Sequence, residues 1–310
     1  MNLKVYSAAE VHAALPWPAL AQTLEAAFVA GATEVPLRHA HALGDSASLL
    51  LMPAWSADAL GVKLVTVMPQ AAAQGLPTVQ ASYLLSDRHT GVPLALLDGE
   101  ALTLRRTAAA SALAARHLAR ADASRLLMIG AGHLAPWLVR AHVALRPVLL
   151  SIQVWARRSE AAQALAEQLR GEGLAAEAVT DLAAAAAQAD IISCATTATL
   201  PPLQGSWLRA GTHIDLVGGF RRDMREIDDA AIARCEPIIV DTRAGALAEA
   251  GDLVQPLASG VIGLERIGGE LSELLRGQVA GRTRVDQITL FKSVGTALED
   301  LAAAQMVLRA

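Results

Sequence analysis

The chain has 310 residues, 53% hydrophobic and 18% charged, with a formal net charge of −4. That is length for two domains, with no basic surplus of the kind a nucleic-acid binder carries. No apolar run reaches the roughly 18 residues of a membrane span, the N-terminus lacks a signal-peptide pattern, and Cys194 and Cys235 are spaced for neither a metal nor a disulfide framework; the expectation is a cytoplasmic protein without metal, membrane or nucleic-acid partner.

Ser7–Glu10 ("SAAE") fits a helix-capping box, with the helix ending near Pro16 and Pro18. A second helix is expected over Ala19–Ala30. From Val35 to Asp98 short apolar runs separated by turn signals at Gly75–Pro77 and Thr90–Pro93 predict a meandering sheet. Residues 101–120 ("ALTLRRTAAASALAARHLAR") have no internal Gly or Pro and read as one long helix. After Ala121 strand and helix alternate: "RLLMIG", "SIQVWA", "DIISCAT", "THIDLVG" and "PIIVDT" are strands with helical stretches between them. This alternation predicts a parallel sheet covered on both faces. The tail from Gly295 reads as a final amphipathic helix. The expected fold is therefore α/β: a Rossmann-type doubly wound domain over 120–293, and a second α/β domain made of 1–119 and 294–310.

The chain uses lysine only at positions 4, 63 and 292, and one of these lies inside the apolar strand "GVKLVTV". Either Val62, Leu64 and Thr66 face the core and Lys63 faces water, or Lys63 turns inward and requires a partner. "IGAGHLA" places Gly130, Gly132 and Ala135 as G-x-G-x-x-A after a strand and before a helix. Gly130 permits the tight turn, Gly132 a close approach to pyrophosphate, and Ala135 close helix–strand packing; the helix start lends partial positive charge. His133 and Leu134 fall in the same loop, where their backbone counts. The next strand ends Ala156-Arg157-Arg158 instead of in an acidic residue. Two guanidinium groups suit the 2′-phosphate, so NADP(H) is favoured over NAD(H).

"LTLRRTAAASALAARHLAR", "IGAGHLA" and "FKSVGTALEDLAAA", in this order and spacing, resemble the ornithine cyclodeaminase/μ-crystallin family, as do "TGVPLALLDG" and Gly251–Leu253. The resemblance implies a homodimer with an amino- or imino-acid substrate in a cleft between a dinucleotide domain and an N-terminal dimerisation domain. It implies that Lys63 and Arg106, with Arg38, bind the substrate carboxylate. Gln80 falls at a substrate-facing family position. Thr196, the Val217-Gly218 turn and Ser293 match segments near the nicotinamide. Lys292 is equally readable as a surface lysine at a helix start. Cyclodeaminases of the family carry a glutamate and an aspartate where this chain has Leu50 and Phe220, neither of which can carry a proton, although Asp223 or Glu226 could substitute. Reduction of a cyclic imine, or amine–imine interconversion, is therefore favoured over conversion of ornithine to proline. A cofactor-dependent ligand binder with little turnover is the further alternative. His39 and His41 alternate on one strand without further ligands, and no metal is expected there.

Overall fold

A computed structural model describes residues 3–310 and divides the chain into two compact units, residues 1–107 with 296–310, and residues 108–295. The first contains β1 (Lys4–Tyr6), α1 (Ala8–Ala14), α2 (Trp17–Ala30), β2 (His39–Gly44), β3 (Ala47–Trp55), β4 (Ala59–Val67), β5 (Val79–Asp87) and β6 (Pro93–Asp98), together with the last helix, α11 (Ala297–Arg309). Helix α3 (Gly99–Leu118) carries the chain from one unit to the other. The division thus falls inside this helix and not at its end, because no Gly or Pro interrupts it.

The first unit's sheet runs β1-β6-β5-β4-β3-β2, parallel only where β1 meets β6. The other pairs are the expected antiparallel meander. Ser7 and Glu10 form the capping box of α1, each accepting from the other's backbone N–H. Along β4 the buried residues are Ala59, Gly61, Lys63 and Val65, while Leu60 and Leu64 are exposed. The strand therefore faces opposite to the assignment that put Val62, Leu64 and Thr66 in the core. The physical reason is α11, which packs on β3, β4 and β5 and brings the partner that Lys63 needs.

The second unit holds β7 (Arg125–Ile129), α4 (Ala135–Leu145), β8 (Ser151–Trp155), α5 (Ser159–Gly171), β9 (Ala176–Ala178), α6 (Leu182–Gln188), β10 (Ile191–Cys194), β11 (His213–Leu216), α7 (Asp229–Arg234), β12 (Cys235–Val240), α8 (Arg243–Glu249), α9 (Gly251–Ala258), β13 (Ile267–Glu270), α10 (Leu271–Leu275) and β14 (Ile288–Lys292). All eight strands are parallel, in the order β9-β8-β7-β10-β11-β14-β12-β13. The winding direction reverses between β7 and β10, which opens a crevice at their carboxyl ends, where doubly wound sheets bind ligands. Every residue of β10, β11 and β14 is buried, so both faces of these central strands are covered. Among the described residues, no helix is long and apolar enough to cross a membrane.

At the other end of these strands Asp190 is a junction. It accepts from the backbone N–H groups of Ser124 and Arg125 at 2.9 and 3.0 Å, and from the guanidinium groups of Arg120, at 2.7 Å, and Arg209. The side chain ties the entry of β7 to the entry of β10. Asp190→Ala leaves four donors short of an acceptor and should lower stability by about 2 kcal/mol, read as a lower urea midpoint at unchanged slope.

Candidate active site

In the first unit three sequence candidates converge. Lys63 is 2% exposed and Arg106 3% exposed, so neither is a solvated surface charge. The Lys63 ammonium lies 3.0 and 2.9 Å from the two carboxylate oxygens of Asp300 and donates to Thr103 Oγ1 at 3.2 Å. Arg106 donates through Nε to Asp300 Oδ1 at 2.9 Å and through Nη1 to Glu299 Oε2 at 2.6 Å. Arg38 is near enough for its charge to act on Lys63. Lys63 and Arg106 thus share Asp300, and Arg106 also holds Glu299.

Burial pushes Lys63 down to about 8, with Arg106 adding to the effect and Asp300 opposing it. For Arg106, burial is outweighed by Asp300 and Glu299, which hold its charge in place. Tyr83 is the cross-strand neighbour of Lys63. Its phenol is pushed up by burial and by the charge of Asp300. A cluster built this way can grip a further carboxylate through charge-assisted hydrogen bonds.

In the second unit a cavity of about 490 Å³ opens at the switch point. Gly130 and Gly132 line it from the loop after β7, and Trp155, Ala156, Arg157 and Arg158 from the end of β8. Thr196, the next four residues and Pro202 close it after β10. Gly130 has φ +112°, and a Cβ there would lie 2.4 Å from the Ala195 carbonyl oxygen, so no other residue fits. A Cβ on Gly132 would meet nothing within 4 Å, so the loop is open where pyrophosphate would approach. The cavity, the bare Gly132 backbone and the start of α4 fit a dinucleotide. Ala135 is fully buried at the first position of α4. His133 and Leu134 lie in the intervening loop and do not line the cavity. Arg157 and Arg158 are both exposed.

Gly218 and Ser293 are fixed by buried acids that the sequence did not single out for this task, and Val217 by backbone. Asp241 Oδ2 accepts from Ser293 Oγ at 3.1 Å and from the Val294 and Gly295 N–H groups at 2.7 and 2.6 Å. The Gly218 N–H donates to Glu226, and the Val217 N–H to the Cys194 carbonyl. Lys292 is fully buried in β14, 2.9 Å from Asp252 Oδ2, which removes the reading of it as a surface lysine. Asp223 is exposed and bonded to Arg221 at 3.0 and 2.8 Å.

Gln80 does not join the Lys63 cluster. It is exposed and pairs with Thr66, on the opposite face of the sheet from Lys63, as alternation dictates. His39 and His41 are exposed on β2, and among the described residues no group of three or more His, Cys, Asp or Glu side chains could hold a metal ion. A second hollow, near Arg116, Arg120, Arg282 and Arg284, is structural. Arg282 there is spent on the carbonyl groups of Leu118, Thr212 and Gln287, and Arg120 on Asp122, Asp190 and Gly211.

Asp300, Glu299 and Thr103 are the participants that sequence reasoning missed. The available signal was "LED" at the start of α11: Glu299 and Asp300 sit in an otherwise apolar run and are both fully buried. Asp300→Ala leaves Lys63 and Arg106 side by side without their shared counter-charge. It should cost about 3–5 kcal/mol in urea denaturation, and Lys63→Met combined with Asp300→Leu should cost less than the two single losses added together.

The family description that matches the chain, over residues 1–309, is the ornithine cyclodeaminase/mu-crystallin family. The Delta(1)-pyrroline-2-carboxylate reductase of Paracoccus denitrificans is 45% identical over 249 residues, covering 80% of this chain and 78% of the relative. The solved structure of the Thermococcus litoralis Delta(1)-pyrroline-2-carboxylate reductase, in complex with NADH and L-proline, superposes with a TM-score of 0.94 at 35% identity, over 99% of this chain and 97% of that one. An archaeal alanine dehydrogenase dimer with bound NAD gives 0.92 at 28% identity, over 100% and 96%. Matched over nearly its whole length by that family's description, and 45% identical to a curated relative, the chain belongs to the ornithine cyclodeaminase/mu-crystallin family.

Proposed function

We propose that the protein is a nicotinamide-dependent oxidoreductase that reduces a cyclic imino acid, of the Δ1-pyrroline-2-carboxylate class, to the corresponding amino acid. The observation that carries this reading is the buried pair of Lys63 and Arg106, set side by side on a shared aspartate, in a chain that also builds a dinucleotide cleft. Lys63 and Arg106, with Arg38, hold the substrate carboxylate and thereby orient the imine carbon. A reduced nicotinamide, when bound, supplies the hydride to that carbon. The imine nitrogen enters as its protonated iminium and needs no strong acid from the protein. This accords with Leu50 and Phe220 at the positions where cyclodeaminases carry their proton-handling carboxylates. Asp223 is spent on Arg221, and Glu226 is wholly buried beneath the Gly218–Gly219 turn, so neither supplies the missing base.

NADP(H) is the favoured form, supported by Arg157 and Arg158 at the end of β8 with no acidic residue beside them in the cavity lining. A homodimer accords with the open face of the first unit's sheet, where Leu60 and Leu64 are 37% and 42% exposed.

Three measurements test these statements. NADPH consumption with Δ1-pyrroline-2-carboxylate should be catalytic, and ornithine with the oxidised cofactor should yield no proline; cofactor binding without turnover would favour a ligand-binding protein. Replacing Arg157 and Arg158 together by alanine should weaken NADPH binding by about tenfold or more, leaving NADH nearly unchanged, and a wild-type preference for NADH would overturn the NADP(H) assignment. Lys63 is charged below about 8 and neutral above it, so binding of proline as a carboxylate probe should weaken as pH rises from about 7 to about 9. A flat profile would remove Lys63 from the carboxylate site.

A further inference from the structure

The carboxylate of Glu226 accepts four hydrogen bonds in the interior of the second unit. Its Oε1 accepts from the Thr196 N–H at 2.7 Å and from the Thr196 hydroxyl at 3.0 Å. Its Oε2 accepts from the N–H groups of Gly218 and Gly219 at 2.9 and 3.2 Å. Thr196 follows β10 and lines the cleft, whereas Gly218 and Gly219 follow β11. One side chain thus fastens together the loops that leave two neighbouring parallel strands. The approach is close: a Cβ on Gly218 would lie 2.1 Å from the Thr196 carbonyl oxygen, so only glycine lets the turn reach the carboxylate.

The charges around Glu226 come from every element packed on it. Lys292 of β14 lies 3.9 Å from Oε2 and 2.9 Å from Asp252 of α9. Asp252 in turn accepts from the Glu226 and Ile227 N–H groups at 2.6 and 3.3 Å. Cys194 of β10 is close enough to feel Glu226, and Asp241 of β12's exit close enough to act on Lys292. One ammonium therefore serves two carboxylates. Burial pushes the Glu226 carboxyl up to about 7, with Lys292 opposing and Asp252 adding. All four donors point at this group, and loss of its charge weakens each of these charge-assisted bonds.

We propose that Glu226 is a positioning residue for the dinucleotide, holding the Thr196 loop and the Gly218–Gly219 turn in the shape that receives the nicotinamide end and releasing them when its charge is lost. This rests on the reading above that these two segments line the nicotinamide. Glu226 itself touches neither substrate nor cofactor; it acts through the backbone it holds.

The test is the dissociation constant of NADH, followed by its fluorescence on the full chain without any imine, between about pH 5.5 and about pH 8.5. NADH carries no 2′-phosphate to titrate in that window. Wild-type affinity should fall as pH drops through about 7, by about ten- to a hundredfold at the acid limit, the worth of one charge-assisted hydrogen bond. Glu226→Gln should bind weakly at every pH, with a flat profile. Glu226→Asp, which keeps the charge on a shorter arm, should keep the acid limb at reduced affinity.

A wild-type profile that is flat across the window would overturn the proposal, and needs no variant to fold. An acid limb that survives in Glu226→Gln would also overturn it, because another group would then carry the titration. A lowered melting temperature in Glu226→Gln without a change in the NADH profile would reduce Glu226 to a structural role. Failure of the imine-reduction reading would appear instead as absent turnover with NADH binding intact, so the two failures are separable.

Discussion

A lysine taken out of water must be answered by charge. This constraint governs both units. Lys63 and Lys292 are each fully enclosed on a strand, and each is met by an aspartate from a helix, Asp300 on α11 and Asp252 on α9, at about the same separation of 2.9 Å. Neither ammonium could be tolerated alone, since an uncompensated buried ion costs several kcal/mol. Each aspartate also has a second duty: Asp300 receives Arg106, and Asp252 receives the amides of Glu226 and Ile227. The two ion pairs therefore act as fasteners for segments well separated in sequence.

The balance struck in each cluster differs, and the difference has chemical meaning. Around Lys63 two cations, Lys63 and Arg106, meet two carboxylates, Asp300 and Glu299. Around Lys292 two carboxylates share one cation; Glu226, 3.9 Å from the ammonium and raised by burial to about 7, also leans on its hydrogen bonds. On the proposed function, the first cluster receives the substrate carboxylate. The second is arranged to hold backbone.

The larger architecture was legible because its signals are local. Alternating strand and helix runs, the G-x-G-x-x-A loop and the Ser7 capping box each declare themselves within a few residues, and the structure holds them where they were expected. The inward turn of Lys63 was not decided by "GVKLVTV", because strand alternation allows either face; α11 decides it. Likewise Gln80 falls on the wrong face of β5 for the cluster, a matter of a register that only strand pairing reveals. Asp300 was hidden because a carboxylate in the first turn of a helix is ordinary, and nothing nearby in the chain points to Lys63. Glu226 looked like a spare base because sequence shows the acid and not the four donors that consume it.

The pairing of Lys63 with Asp300 spans 237 residues, and the whole of the dinucleotide-binding unit is encoded between the two. A ribosome makes the strand long before it makes the helix that neutralises it. Until α11 emerges, the nascent first unit holds an unanswered ammonium and guanidinium on what will become its inner face, and these would keep that face wet. The inserted unit, whose eight parallel strands all lie within residues 108–295, can condense meanwhile from its own residues. The ion pair that closes the first unit's inner face can therefore form only after both ends of the chain have been made.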